Sequence, residues 1–462
     1  MFHHDCPKMV RCLSLILCCC FLAGGADAND VWYVADQAAP VVPASIAHRS
    51  GLQVDQPAEV VERGVSENDE GVFSPSDEVG MSPRFDYGVS RDPWLTSGGG
   101  GGCWWGEADY LVLWTSGNPV PALVTTNRTV PPRDQAGVLN VGNTQVLLGD
   151  QRLDTGYRSG VALTLGRWLD PCHDWGVQAT WMYAGGASDE LNAAWQSTGV
   201  PVLARPFFNA ATGMEDAQLV AYPNVVQGLM VAQTHSDLRS VEALLRGNWS
   251  RGASGRIDVL SGYRYLGFHE GLWLEEQLTI VNPAGNIQMG TTVDLFDRFR
   301  TRNDFHGGTL GVLTSLDHGA VSLDIATKLG VGRVWRESVI DGQTEVRTPP
   351  GGLDRRDGGL LALPSNMGTY RDSAFALLPE LDLKARLMLT DRLSLNVGYQ
   401  LLFLTNVYRT GQQIDRRIDA SQLSGALPVN NQTAAGQTHP VAAHGSSTLR
   451  AQGMTVGLTF VY

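Results

Sequence analysis

Cysteine, charge and long hydrophobic runs are all scarce in this chain. Of 462 residues only 7 are cysteine, and five of those (Cys6, Cys12, Cys18, Cys19, Cys20) fall in the first 28 positions. Those positions read as a secretory signal peptide: Lys8 and Arg11 form a basic start, Leu13 to Ala23 an apolar run, and Ala26-Asp27-Ala28 a cleavage site before Asn29. The expected mature chain is therefore exported without a lipid anchor, and keeps only Cys103 and Cys172. Beyond residue 28 no apolar stretch approaches the roughly 18 to 20 residues that a membrane helix needs. A membrane-spanning form of this chain must therefore be a closed barrel. CxxC, HExxH, phosphate-loop and GxSxG patterns are also missing, so no cofactor, metal site or catalytic residue is expected. Charged residues make up 18 % with a formal net charge of -13, a balance that argues against nucleic acid as a partner.

The negative charge is concentrated. Residues 29–103 hold twelve acids against four bases, scattered proline and a closing glycine run from Gly98 to Gly102. That composition reads as a disordered acidic leader or tether, placed in the periplasm. From Trp104 the texture changes to alternation. Counting back from the end, Tyr462, Phe460, Leu458, Val456 and Met454 share one face, and Thr459, Gly457, Thr455, Gly453 and Ala451 share the other. Such a strand sits between two different environments. An aromatic last residue is also the habitual ending of outer-membrane barrels.

About ten such segments are expected, the first from Trp104 and the others near 156–168, 174–184, 236–249, 255–267, 304–315, 319–340, 372–389, 392–408 and 449–462. Their connections alternate between short (169–173, 250–254, 316–318, 390–391) and long (115–155, 185–235, 268–303, 341–371, 409–448). Short turns at one end and long loops at the other define the expected fold class: an all-β transmembrane antiparallel barrel over residues 104–462 with long outer loops. A soluble secreted β-sandwich that binds carbohydrate is the alternative from another class. Trp104, Trp105, Trp168, Trp175, Trp249, Phe460 and Tyr462 gather at the short-turn ends and are expected to form an aromatic girdle at the headgroup level. Opposite the apolar stripes lie Glu107, Asp109, Glu242, Arg246, Asp258, Arg264, Asp324, Lys328, Glu380, Asp382, Lys384 and Arg386. Lipid does not tolerate such a row, since a charge at mid-bilayer costs about 2–4 kcal/mol. These residues are expected to fill the lumen as a mixed-sign network.

The segments WWGEADYLVLWTSGNPVPALVTT, TGYRSGVALTLGRWLDPCHDWGVQATWMY, SGYRYLGFHEGLWLEEQ, FRTRNDFHGGTLGV and NVYRTGQQIDRRIDASQL resemble the beta-barrel porin-7 family of planctomycete outer-membrane proteins. The resemblance spans about residues 104–462. It implies a barrel in the cell outer membrane and carries no catalytic or ligand residues over. The functional expectation is a non-enzymatic envelope barrel, either a narrow passive pore or a structural barrel displaying its loops. Its partners would be outer-membrane lipid and, through the last strand, the barrel-assembly machinery, with the oligomeric state open. A remote enzymatic alternative places a hydrolytic site at the rim, where His235, His269 and His306 fall near Glu270 and Asp304. Cys103 and Cys172 lie at the same barrel end, where a disulfide or two free thiols are equally compatible with the compartment. The mixed charges of the GQQIDRRID segment at 411–419 are expected to pin the last loop over the barrel mouth, with contact to a surface partner as the alternative.

Overall fold

Large side chains facing one way and small or charged ones facing the other let ten segments of this chain pair edge to edge. The computed structural model describes residues 104–187, 191–282, 287–430 and 438–462. The expected signal peptide, the acidic leader and Cys103 lie outside the described residues.

The barrel strands are β1 (Trp104–Thr115), β2 (Tyr157–Trp168), β3 (Trp175–Ala187), β4 (Val226–Gly252), β5 (Gly255–Ile280), β6 (Thr292–His318), β7 (Val321–Thr348), β8 (Gly368–Met388), β9 (Leu393–Tyr408) and β10 (Ser446–Val461). Each pairs antiparallel with its neighbours in chain order, and β10 returns to β1 in a register running from Val461 opposite Trp105 to Ala451 opposite Thr115. The ring is closed. A two-sheet sandwich is excluded by that closure. Turns of a few residues link β2 to β3, β4 to β5, β6 to β7 and β8 to β9, and the longer connections all lie at the other end.

Four strands run well past their expected ends. The alternation was expected to stop at 236 on β4, 267 on β5, 304 on β6 and 340 on β7, yet the strands reach Val226, Ile280, Thr292 and Thr348. The reason is an inversion of the pattern. On β5, Ile257, Val259, Tyr263 and Tyr265 face outward, while Arg256, Asp258 and Arg264 are buried inside. Farther along, Leu272, Leu274, Leu278 and Ile280 point inward and Gln277 points out. At about 3.3 Å per residue and a tilt near 40°, residues 257–265 span roughly 20–25 Å, the height of an apolar outer belt. Past that belt the outer face meets water and the inner face packs against protein, so the same period-two backbone carries the opposite polarity.

The inward apolar face is covered by the long loops. Strands Val124–Asn127, Gln145–Leu148, Val202–Asn209 and Met214–Ala221, joined by Arg417–Ile418, form a separate five-stranded sheet. This cap shares one core with the barrel extension: Leu123, Phe207, Val220 and Leu361 pack with Met230, Leu274, Leu295 and Ile340. At about 1.5–3 kcal/mol for each large apolar side chain buried, such a core holds the loops in one arrangement.

Candidate functional site

The charged residues of the inner face meet in pairs across the lumen. Arg264 reaches Glu242 at 3.0 Å and Glu380 at 2.8 Å. Lys328 lies 3.1 Å from Glu242, 2.7 Å from Glu380 and 3.3 Å from Asp382. Lys384 bridges Glu107 and Asp109, Arg386 binds Asp324, and Arg246 holds Asp258 at 2.5 Å. Arg256, absent from the expected set, also holds Asp258 at 2.6 Å, and its parity on β5 was the available signal. These groups come from five different strands, β1, β4, β5, β7 and β8. The space left among them is a polar cavity of about 170 Å³, which suits a few waters.

Two of the seven expected girdle residues belong inside instead. Trp104, Trp175, Trp249, Phe460 and Tyr462 are exposed on the outer surface, whereas Trp105 and Trp168 are buried in the lumen. Adjacent strand residues must face opposite sides, so Trp104 and Trp105 cannot share a girdle. Glycines make the room. A Cβ on Gly166, opposite Trp105, would overlap that ring, and one on Gly176 would sit 2.8 Å from the Trp168 ring. The two indoles lie 5.2 Å apart, and the Arg246 and Arg256 guanidinium groups stand 4.8 and 4.5 Å from the Trp168 ring. This stack fills the turn end. A second outer girdle, at the loop end, escaped the sequence reading: Tyr263, Trp335 and Phe375 are exposed there, with the Tyr263 hydroxyl 2.5 Å from His306 Nδ1.

Above the charged layer the lumen turns apolar. Leu111 and Leu113 (β1), Met182 (β3), Leu238 (β4), Phe268 (β5), Phe305 (β6), Val334 (β7), Leu378 (β8), Leu404 (β9) and Leu449 (β10) form one buried cluster, with Ala162 of β2 packed against it. The layer crosses the barrel at the loop-side edge of the outer belt. Buried polar clamps sit directly on it. Asn303 donates to the carbonyls of Phe268 and Tyr408 and accepts the Tyr408 N–H at 2.6 Å. Arg409, from the last loop, makes a two-pronged pair with Glu270 at 2.8 Å in each arm. Deeper in the cap, Arg205 binds Glu276 and, at 2.7 Å, Asp297, all three fully buried. The remaining oxygen of Asp297 accepts the backbone N–H groups of Leu360, Leu361 and Ala362 at 2.7–3.0 Å.

The sequence profile described as Putative beta barrel porin-7 matches residues 105–462. The chain belongs to that family. Among curated proteins none matches it in sequence. Solved structures that resemble this porin-7 member include the outer membrane protease OmpT from Escherichia coli, at 10 % identity and a TM-score of 0.35, covering 78 % of this chain and 97 % of that one. A Pseudomonas aeruginosa FadL homologue (7 % identity, TM-score 0.19, 78 % and 90 % covered) and the Pseudomonas putida toluene transporter TodX (8 %, 0.18, 80 % and 95 %) also match. Family and fold are those of an outer-membrane porin-like barrel.

In this porin-7 chain the rim histidines lie on the outer face. His269 has Asp237 3.5 Å from Nδ1 and Asp304 3.8 Å from Nε2, with the Arg239 guanidinium also 3.2 Å from Nε2. His235 is 3.8 Å from Asp237, and His306 stacks among Tyr263, Tyr265 and Trp335. Glu270 points the other way, into the lumen, to Arg409. Its even position on β5 separates it from His269 by the pleat. Cys172 is exposed in the β2–β3 turn.

The 411–419 segment lies against the cap. Arg416 pairs with Glu215 at 2.7 Å, and Asp415 accepts the backbone N–H groups of Val441 and Arg417 at 3.0 Å each. Partial burial works to raise the Asp415 carboxyl, but those N–H groups and the Arg417 guanidinium prevail and hold it below the usual carboxylate range. A group depressed on folding stabilises above its unfolded pKa and loses that contribution as pH falls through its folded pKa. Hydrogen exchange should therefore show the Val441 and Arg417 amides protected from neutral pH down through the ordinary carboxylate range and deprotected only in stronger acid. Asp415→Asn should lack the pH dependence; retention of an identical acid transition would assign it to another group.

Proposed function

We propose that this chain is a closed envelope barrel: it spans the outer membrane, holds its lumen shut and presents a folded cap at the cell surface, without a catalytic role. The observation that carries the reading is the apolar layer drawn from the barrel wall, in which Phe268 and Phe305 are fully buried. An ion crossing it would have to leave its water for hydrocarbon, and the charged layer beneath is already paired. Both features oppose the pore alternative. In this reading the short turns face the periplasm and the cap faces the cell surface.

Proteoliposomes loaded for a swelling assay test this. Vesicles carrying the folded protein should swell in a pentose solution no faster than protein-free vesicles. Swelling that scales with protein content would replace the closed barrel with a pore. Replacing His269 and His306 together should leave surface hydrolysis unchanged; loss of a hydrolytic activity would restore the rim-site alternative.

A further inference from the structure

Past the apolar belt, the outer face of β4–β6 carries a groove of about 570 Å³ walled by Trp273, Arg298, Arg300, Gln233 and Asn192. Its floor is open because β5 has Gly271 there: a Cβ at that position would meet nothing within 4 Å. Trp273 lies eight residues beyond Tyr265 on β5, so the groove stands roughly 20 Å above the end of the belt at about 3.3 Å per residue and a tilt near 40°. Lipid headgroups do not reach that height. Sugars of the cell surface do.

The chemistry of the walls is selective. Trp273 is 37 % exposed, and the Arg298 guanidinium stands 4.1 Å from the centre of its ring. Arg298 and Arg300 share one carboxylate, Asp341, at 3.7 and 3.4 Å. Pairs this exposed are weakly held and exchange readily with a ligand anion. Two guanidinium groups on one acid also leave a local positive excess in a chain whose formal charge is -13. The Gln233 amide donates to Asn192 at 3.3 Å, and both side chains line the groove. An apolar ligand would strand the arginines, and a lone phosphate would leave the indole unused. An aromatic surface beside paired cations and side-chain amides suits a pyranose bearing a carboxylate.

We infer that this groove binds an acidic oligosaccharide, with sugar carboxylates on Arg298 and Arg300 and a pyranose ring against Trp273. The choice of a sugar rests on the surface placement proposed above, whereas binding measured in detergent reads the groove alone, so the two can fail separately. The test is calorimetric titration of the full folded chain with tetragalacturonate, with neutral maltotetraose as control, and with the same uronic acid chain carried on a glycolipid in micelles. Tetragalacturonate should bind, more weakly as salt rises, and maltotetraose should not. Arg298→Gln with Arg300→Gln should weaken binding at least tenfold, and Trp273→Ala severalfold. Asp341→Asn, which frees both arginines, should tighten it, a result that a purely structural role would not produce. Equal affinity for the free and lipid-borne chains supports a soluble polysaccharide as the natural source, and a gain on the glycolipid supports a membrane-anchored one. Absence of binding in both forms, or binding unchanged in the double Gln variant, overturns the assignment.

Discussion

Arg205→Ala should release the cap from the barrel while leaving the membrane belt intact. The side chain supplies the positive charge between two fully buried acids, Glu276 on β5 and Asp297 on β6. Glu276 also accepts from Gln218 at 2.6 Å, and Asp297 organises the 360–362 backbone, so both carboxylates are fixed in place when the guanidinium is lost. Removing one partner of a buried ion pair leaves an uncompensated charge, at a cost of about 3–5 kcal/mol. Most of that cost falls on loop packing, because Arg205 sits in the cap strand Val202–Asn209 and its acids sit in the extension past the belt. Limited proteolysis in detergent should then cut within the cap loops, while the heat-modifiable barrel fragment survives. Protease resistance equal to wild type would mean that the apolar core alone holds the cap.

Arg264→Met acts inside the belt and should lower the unfolding midpoint of the barrel itself. Arg264 and Lys328 together face Glu242, Glu380 and Asp382. Without the guanidinium three carboxylates share one ammonium inside the closed ring of strands, again a loss of about 3–5 kcal/mol. Glu380→Met in the same chain should recover much of it, since the surplus charge leaves with its partner. The readout is the temperature at which the compact band on an unboiled gel converts to the unfolded one. A single variant that converts at the wild-type temperature would show that water in the 170 Å³ cavity screens the network.

How far the sequence reached depends on what each face touches. Within the belt, lipid and lumen differ so strongly that parity alone separates Val259 from Asp258, and ten strands with their short turns follow. Beyond the belt the polarity inverts, and a search for outward apolar stripes stops where lipid stops. That is why β5 was expected to end at 267, one residue before Phe268 of the lumen layer. Trp105 and Trp168 were misplaced by composition: aromatics at strand ends suggest a girdle, and only the pleat and the glycines opposite show that they turn inward. Arg205, Glu276 and Asp297 lie far apart in the chain and on different elements, so no spacing rule joins them. The groove at Trp273 was hidden for the same reason, because its arginines belong to the next strand of a sheet whose extension was unexpected.

The most direct measurement of the closed lumen is single-channel recording of the full-length folded protein in a planar bilayer, in molar salt and over a range of voltages. The structure predicts a silent membrane at protein densities where an open porin gives discrete steps. Reproducible steps of fixed size, scaling with salt concentration, would contradict it and would mean that ions pass the layer between Phe268 and Phe305.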